Sequence, residues 1–193
     1  MTRTIRVDQQ ISLKALVPSD AMTIYKITDQ QRDYLGEWLP FVQFTNCVQD
    51  TREFVEIAIE DRELNKDFVY KICLEGRLIG LIGTKRTDYL NKNTELGYWL
   101  SQSHQQKGVM TRSLVSLLSH LFQECRLERV EICCASKNRK SIAVAERLGF
   151  TLEGVKRNGE WVGENTYRDL KVFSLLQSEY QTLHKHHSFK NTQ

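Results

Sequence analysis

The chain has 193 residues, 40% of them hydrophobic and 26% charged, with 2 Pro and 10 Gly. That length suits one domain able to bury a sizeable core, and the composition excludes collagen-like, mucin-like and wholly disordered classes. A net charge of +3 is too small to mark a nucleic-acid binder without help from its distribution.

The longest apolar stretches, such as Leu78 to Gly83, are strand-length, far short of the roughly 20 residues of a spanning helix. Met1 to Asp8 alternates charged and apolar residues and has no hydrophobic run before a small-residue cleavage site. Secretion is therefore unsupported, and a cytoplasmic location without membrane contact is expected. Five cysteines, Cys47, Cys73, Cys125, Cys133 and Cys134, form no C-x-x-C pair and read as reduced, mostly buried thiols. No closed zinc set exists. His184, His186 and His187 read as part of a solvated tail.

In chain order, Ile5 to Ala15 reads as an opening strand, and Pro18-Ser19-Asp20 introduces a helix through about Leu35. Gly36 to Gln49 is an aromatic-rich connector. Asp50 or Thr51 is placed to cap a second helix, with Phe54, Ile57, Ala58 and Leu64 as its apolar stripe. Three strands follow at hairpin spacing, Phe68 to Leu74, Leu78 to Thr87 and Thr94 to Ser101, the first two joined through Glu75-Gly76-Arg77. A polar glycine loop, His104 to Gly108, leads to a helix whose Leu114, Leu117, Leu118, Leu121 and Cys125 recur at three and four. Arg129 to Ala135 reads as a strand buried on both faces, Lys140 to Leu148 as a short helix and Gly149 as its left-handed cap. The last pair of strands, Thr151 to Arg157 and Tyr167 to Leu176, flanks a polar loop holding Gly159 and Gly163. The class is mixed α/β (α+β): one domain over residues 1–180 and a polar tail over residues 181–193.

Charge is unevenly spread. Asp50 to Asp67 has seven acids against three bases, and Lys137 to Arg157 six bases against two acids. The first segment attracts cations and the second anions. The loop Gln105-Gln106-Lys107-Gly108 before a helix exposes successive backbone N–H groups at the positive end of the helix dipole, a fit for phosphate. The same turn also suits an ordinary strand-to-helix connection. Neither G-x-x-x-x-G-K-[ST] nor G-x-G-x-x-G occurs, so the kinase and dehydrogenase readings lose their support.

Glu95-Leu96-Gly97-Tyr98-Trp99-Leu100, then Gln105-x-x-Gly108-x-Met110-x-x-Ser113-Leu114, then Asn138-x-x-Ser141-x-x-x-x-Glu146-x-Leu148-Gly149-Phe150, together resemble the GNAT superfamily of acetyltransferases. Within it the chain is similar to the ribosomal-protein-serine N-acetyltransferase branch, from Ile11 to Leu170. The resemblance implies a mixed, mostly antiparallel sheet splayed between its fourth and fifth strands, helices on both faces, and acetyl-coenzyme A in the cleft. It implies that the backbone of Trp99, Leu100 and Ser101 meets the pantetheine arm, and that Gln105, Gln106, Lys107, Gly108, Val109, Met110 and Thr111 hold the pyrophosphate. Met110 departs from the Gly or Ala usual in the family. Lys137, Arg139 and Lys140 are placed to attract the 3′-phosphate, although such a run also serves as a solvated face.

Acetyl transfer to an amine needs a proton acceptor and a proton for the leaving thiolate. An α-amine has a pKa of about 8, so a modest base is enough. Period-two alternation puts Glu95, Gly97 and Trp99 on one sheet face; the resemblance supports Glu95 as a base through water, against a structural acid paired with Lys or Arg. The resemblance also places Ser141, three residues after Asn138, near the coenzyme sulfur as an acid; its alternative is a capping role. Trp38, Phe41 and Trp161 lie in connectors where aromatic rings often line a pocket. The expected activity is acetyl-coenzyme A-dependent N-acetylation of a primary amine without metal, first on the N-terminal amine of a ribosomal protein. An amino sugar, antibiotic or aminoacyl nucleotide is the alternative acceptor, and a silent coenzyme- or nucleic-acid-binding module the third reading. Monomer and homodimer are both open.

Overall fold

The computed structural model describes residues 2–182. Eight strands form one sheet: β1 (Thr4–Arg6), β2 (Ile11–Ala15), β3 (Val69–Leu74), β4 (Arg77–Asp88), β5 (Asn93–Leu100), β6 (Arg129–Ala135), β7 (Thr151–Gly163) and β8 (Thr166–Leu176). Their spatial order is β1-β2-β3-β4-β5-β6-β8-β7, and every neighbouring pair is antiparallel except β5 with β6. The helices are α1 (Ala21–Gln30), α2 (Arg32–Gly36), α3 (Val48–Glu63), α4 (Val109–Ser119) and α5 (Arg139–Arg147). No described helix is long and apolar enough to cross a membrane.

Two apolar clusters sandwich the sheet. Leu114, Leu117 and Leu121 of the α4 segment, with Ile142 and Ala145 of α5, pack on Ile72, Ile82, Leu96 and Ile132. On the opposite face Ile24 of α1, Leu35 of α2 and Val55 of α3 pack on Leu81 and Trp99. Each fully buried Leu or Ile contributes about 1.5–3 kcal/mol, so both helical layers are anchored. The alternation expected in β5 holds: Leu96 and Leu100 enter the first cluster and Trp99 the second.

Several expectations need correction. The opening strand is a hairpin of two, because the Asp8 carboxylate accepts the N–H groups of Gln10 and Ile11, each at 2.8 Å, and turns the chain. The first helix breaks at Gln31, whose φ of −131° leaves the helical region. The second helix begins at Val48; Asp50 sits one turn inside, accepting from Asn46 N–H at 2.7 Å and Cys47 N–H at 2.9 Å. Its buried stripe is Thr51, Val55 and Ala58, while Phe54, Ile57 and Leu64 stay exposed. The smaller residues face inward because α3 packs closely on its neighbours there, and the bulky ones turn toward the cleft and solvent. Gly159 and Gly163 belong to β7; the turn is Glu164-Asn165, both with positive φ, which is the geometry of a tight hairpin. Residues 177–182 are helical, and the tail histidines His184, His186 and His187 lie outside the described residues.

Register sets the key feature of the sheet. Parallel pairing between β5 and β6 runs from Asn93↔Arg129 to Leu96↔Ile132 and stops, so the two strands part beyond Leu96. By chain count they are the fifth and sixth strands, since the opening strand is double. Otherwise the splay lies where the motifs place it.

Candidate active site

The splay opens a cleft of about 1500 Å³, larger than the roughly 300–1,000 Å³ of a single small-ligand pocket and so roomy enough for two reactants. Its floor is the unpaired edge of β5. Ser101 gives its N–H to Ile79 on the β4 side at 2.8 Å. Strand alternation therefore turns the peptide groups of Tyr98 and Leu100 toward the open edge. Leu100 O has a long contact from the Tyr34 hydroxyl at 3.5 Å, and the groups face the side from which an amide-bearing ligand can pair with them.

At one end of the cleft stands the start of α4. Gln106 (φ 59°) and Gly108 (φ 71°) are both left-handed, and this double turn brings the chain into the helix with its first amides bare. Arg112 N–H is the donor to Gly108 O, so the N–H groups of Val109, Met110 and Thr111 precede the regular ladder and face outward. Basic side chains surround them. Arg147 donates to Thr111 Oγ1 at 3.2 Å, and Lys140 donates to Gln105 Oε1 at 2.8 Å while lying over the Tyr34 ring. Bare amides, a helix dipole and two cations make an anion cradle.

Trp99, Leu100, Gln105, Gln106, Gly108, Val109, Met110, Thr111 and Asn138 all line the cleft. Ser101 and Lys107 do not: the Ser101 hydroxyl is buried against His104 Nδ1 at 2.6 Å, and the Lys107 carbonyl receives Arg112 Nη2. Burial and the nearby Lys107 push His104 below the usual histidine range. Met110, in the first turn of α4, packs partly against the core, which keeps its bulk at the wall. Of Lys137, Arg139 and Lys140, only Lys140 lines the cleft; Arg147 joins it. No group of three or more metal-binding side chains exists among the described residues.

Midway along the cleft, Ser141 stands in the first turn of α5. The capping role belongs to its neighbour, for Asn138 Oδ1 accepts Ser141 N–H at 3.1 Å. The Ser141 hydroxyl is left for other partners: Tyr98 Oη at 2.9 Å and Cys134 Sγ at 3.1 Å. Burial drives the Tyr98 hydroxyl far above the ordinary tyrosine range and raises the Cys134 thiol. Both stay protonated at neutral pH, so Tyr98 can donate to Ser141 Oγ and orient the serine proton outward.

Glu95 has the surroundings of the second of its two sequence readings, an acid paired with Lys and Arg. It is 6% exposed, paired with Lys85 Nζ at 2.8 Å and Arg86 Nη1 at 3.5 Å. Lys85, not Glu95, lines the cleft. The half-buried thiol of Cys133, pushed up to about 11 chiefly by desolvation, lies beside that carboxylate and lines the cleft.

Trp38, Phe41 and Trp161 also line the cleft, with Phe44 stacked on Trp161 at 5.7 Å and 15°. Three carboxylates line the cleft, on Asp50, Glu53 and Glu160. Asp50 is already occupied by the N–H groups of Asn46 and Cys47 ahead of α3. Glu160 Oε2 accepts from Arg168 Nε at 2.6 Å. Sequence reading missed Glu160 because it placed Gly159 to Gly163 in a loop; its position next to Trp161, itself singled out as a pocket ring, was the available signal.

Comparison with known proteins identifies the family. Residues 10–151 match the acetyltransferase (GNAT) domain model. The chain is 34% identical over 178 residues to the ribosomal-protein-serine acetyltransferase of Escherichia coli (strain K12), covering 91% of this chain and 98% of that one. The solved structure of RimL, a ribosomal L7/L12 α-N-protein acetyltransferase in complex with coenzyme A, superposes with a TM-score of 0.87 at 26% identity, covering 91% of this chain and 99% of that one. The microcin C7 self-immunity acetyltransferase MccE, in complex with acetyl-CoA and AMP, superposes with a TM-score of 0.86 at 26% identity, over 91% and 97% of the two chains. With the family model matching residues 10–151 and the sequence relative and fold agreeing over 91% of its length, the chain belongs to the GNAT family and is an acetyl-coenzyme A-dependent N-acetyltransferase.

Proposed function

We propose that the protein acetylates the N-terminal α-amine of a polypeptide, a ribosomal protein being the first candidate. The observation that carries this reading is the far wall of the cleft: a stacked, half-exposed Phe44–Trp161 pair beside the Glu160 carboxylate. Exposed rings grip an extended chain, and the carboxylate receives its charged end.

Acetyl-coenzyme A, when bound, supplies the acyl thioester. The α4 amides with Arg147 and Lys140 hold its phosphates, and the open peptide groups of Tyr98 and Leu100 pair with its amide arm. Glu160 accepts the proton that the amine loses as its nitrogen bonds to the acyl carbon. Ser141 Oγ–H, held in place by Tyr98, donates to the sulfur as the carbon–sulfur bond breaks, and solvent water then returns a proton to Ser141 Oγ and removes the one on Glu160. Glu160 is preferred to Glu95 as base because Glu160 lines the cleft, whereas Glu95 is closed off by Lys85.

A second reading, a small-molecule amine, is favoured by the likeness to MccE. A thiol-release screen separates the two: Ser- and Ala-starting peptides against amino sugars and aminoacyl nucleotides. Turnover of peptides alone supports the proposal, and turnover confined to small amines overturns it. If coenzyme A raises the melting temperature while no acceptor of the panel releases thiol, the peptide reading falls as well.

A further inference from the structure

Glu160 and Arg168 face each other across the β7–β8 ladder, in the part of the hairpin that reaches over the cleft. The Arg168 guanidinium does more than pair with that carboxylate. Its Nη1 donates to Glu37 O at 2.8 Å and its Nη2 to Trp38 O, two carbonyls of the connector that follows α2. One planar fork thus joins segments 130 residues apart. The side chain is 19% exposed; its bonds to Trp38 O and Glu160 are partly buried, and the one to Glu37 O is exposed. Two further contacts tie the same segments: the Phe44–Trp161 stack, and the close approach of Gly163 to the Gln43 side chain, where an added Cβ would lie 3.0 Å from Oε1. The acceptor wall is therefore built from two separate pieces of chain, and among the described residues Arg168 is the side chain whose hydrogen bonds reach both the connector and a cleft carboxylate.

We propose that Arg168 is an acceptor-positioning residue. It staples the Trp38 connector to the β7–β8 hairpin and aims Glu160 into the cleft, so that acceptor recognition depends on it while coenzyme binding does not. The Glu160 part of this rests on the reading above. Lysine cannot replace it: an ammonium on a flexible stem lacks the fixed fork that serves three acceptors at once.

The test uses the full chain, Arg168→Gln and Arg168→Lys, with a serine-starting hexapeptide as acceptor. Expected for Arg168→Gln are an acceptor KM raised at least tenfold, a coenzyme A Kd by calorimetry within twofold of the parent, and stronger acrylamide quenching of tryptophan emission, because two of the three tryptophans stand in the stapled wall. Arg168→Lys should recover less than half of the KM loss on a logarithmic scale, and it carries the test if the glutamine variant does not fold. An unchanged acceptor KM, or a coenzyme Kd weakened as much as the KM, overturns the proposal. Glu160→Gln separates the two ideas: full kcat there removes Glu160 as base yet leaves the staple standing if Arg168→Gln still raises KM, whereas loss of kcat there with an unchanged KM in Arg168→Gln removes the staple alone.

Discussion

Ser141→Ala tests the chemistry most directly, because the geometry separates its catalytic from its structural consequences. The helix cap survives, since Asn138 accepts the backbone N–H of residue 141, which alanine retains. What disappears is the hydroxyl between Tyr98 and Cys134. General acid catalysis is worth about 10²–10⁴-fold. A thiol with a pKa near 8.5 is already a fair leaving group, so the lower end applies: a kcat loss of about 10²-fold, or about 2.7 kcal/mol. The buried Tyr98 hydroxyl then keeps only Ser141 O at 3.5 Å, which is too long to satisfy it. An orphaned hydroxyl costs about 1–3 kcal/mol, a melting temperature lower by about 2–4 °C for each kcal/mol in a domain of this size. Tyr98→Phe combined with Ser141→Ala removes the orphan, so the double variant should regain stability while staying slow. Thiol release at saturating acetyl-coenzyme A gives the rate, and thermal unfolding the stability. A kcat within threefold of the parent in Ser141→Ala would refute the proton-donor role, and so would a restored rate in the double variant.

Other outcomes follow from the same geometry. Glu160→Gln should lower kcat by about 10²-fold or more with coenzyme affinity unchanged, whereas Glu95→Gln should cost stability and leave kcat within about threefold; the reverse pattern would return the base to Glu95. Gly80→Ala should prevent or badly impair folding, seen as loss of soluble protein or of cooperative melting, because its Cβ would lie 2.3 Å from Trp99 O on the adjacent strand. Glu153 is held down to about 2 from an ordinary 4.5, first by hydrogen bonds from Arg129 and then by Ser174. Its stabilisation is complete above the unfolded value and fades as pH falls from about 4.5 toward about 2. Glu153→Gln should flatten the melting-temperature profile in that window; an unaltered slope would show that the Arg129 pair carries no stability.

Much of this architecture is legible along the chain. Period-two alternation in Thr94 to Leu100 correctly divides Leu96 and Leu100 from Trp99, since a strand must send neighbours to opposite faces. The three-four recurrence of Leu114, Leu117 and Leu121 marks the buried face of α4, and Gly149 ends α5 with the positive φ expected of it. Such signals are local: they follow from backbone geometry and from which side chains avoid water. The α3 stripe misleads because Phe54 and Ile57 are the larger hydrophobes, yet close packing of helix on helix selects Thr51 and Ala58. Strand continuity through Gly159 is equally hidden, because its partners come from β8 across the hairpin.

The sequence by itself determined that an amide-rich turn precedes α4, that Ser141 and Asn138 share the first turn of α5, and that aromatic connectors stand ready to wall a pocket. Only the tertiary structure decided which of these meet. Parting of β5 from β6 after Leu96 created the cleft, Asn138 took the cap and released the Ser141 hydroxyl, Lys85 closed over Glu95, and the β7–β8 hairpin brought Glu160 to the wall. Those outcomes depend on contacts between residues tens of positions apart, and the free energy of such contacts is set by three-dimensional packing and charge, which no local pattern encodes.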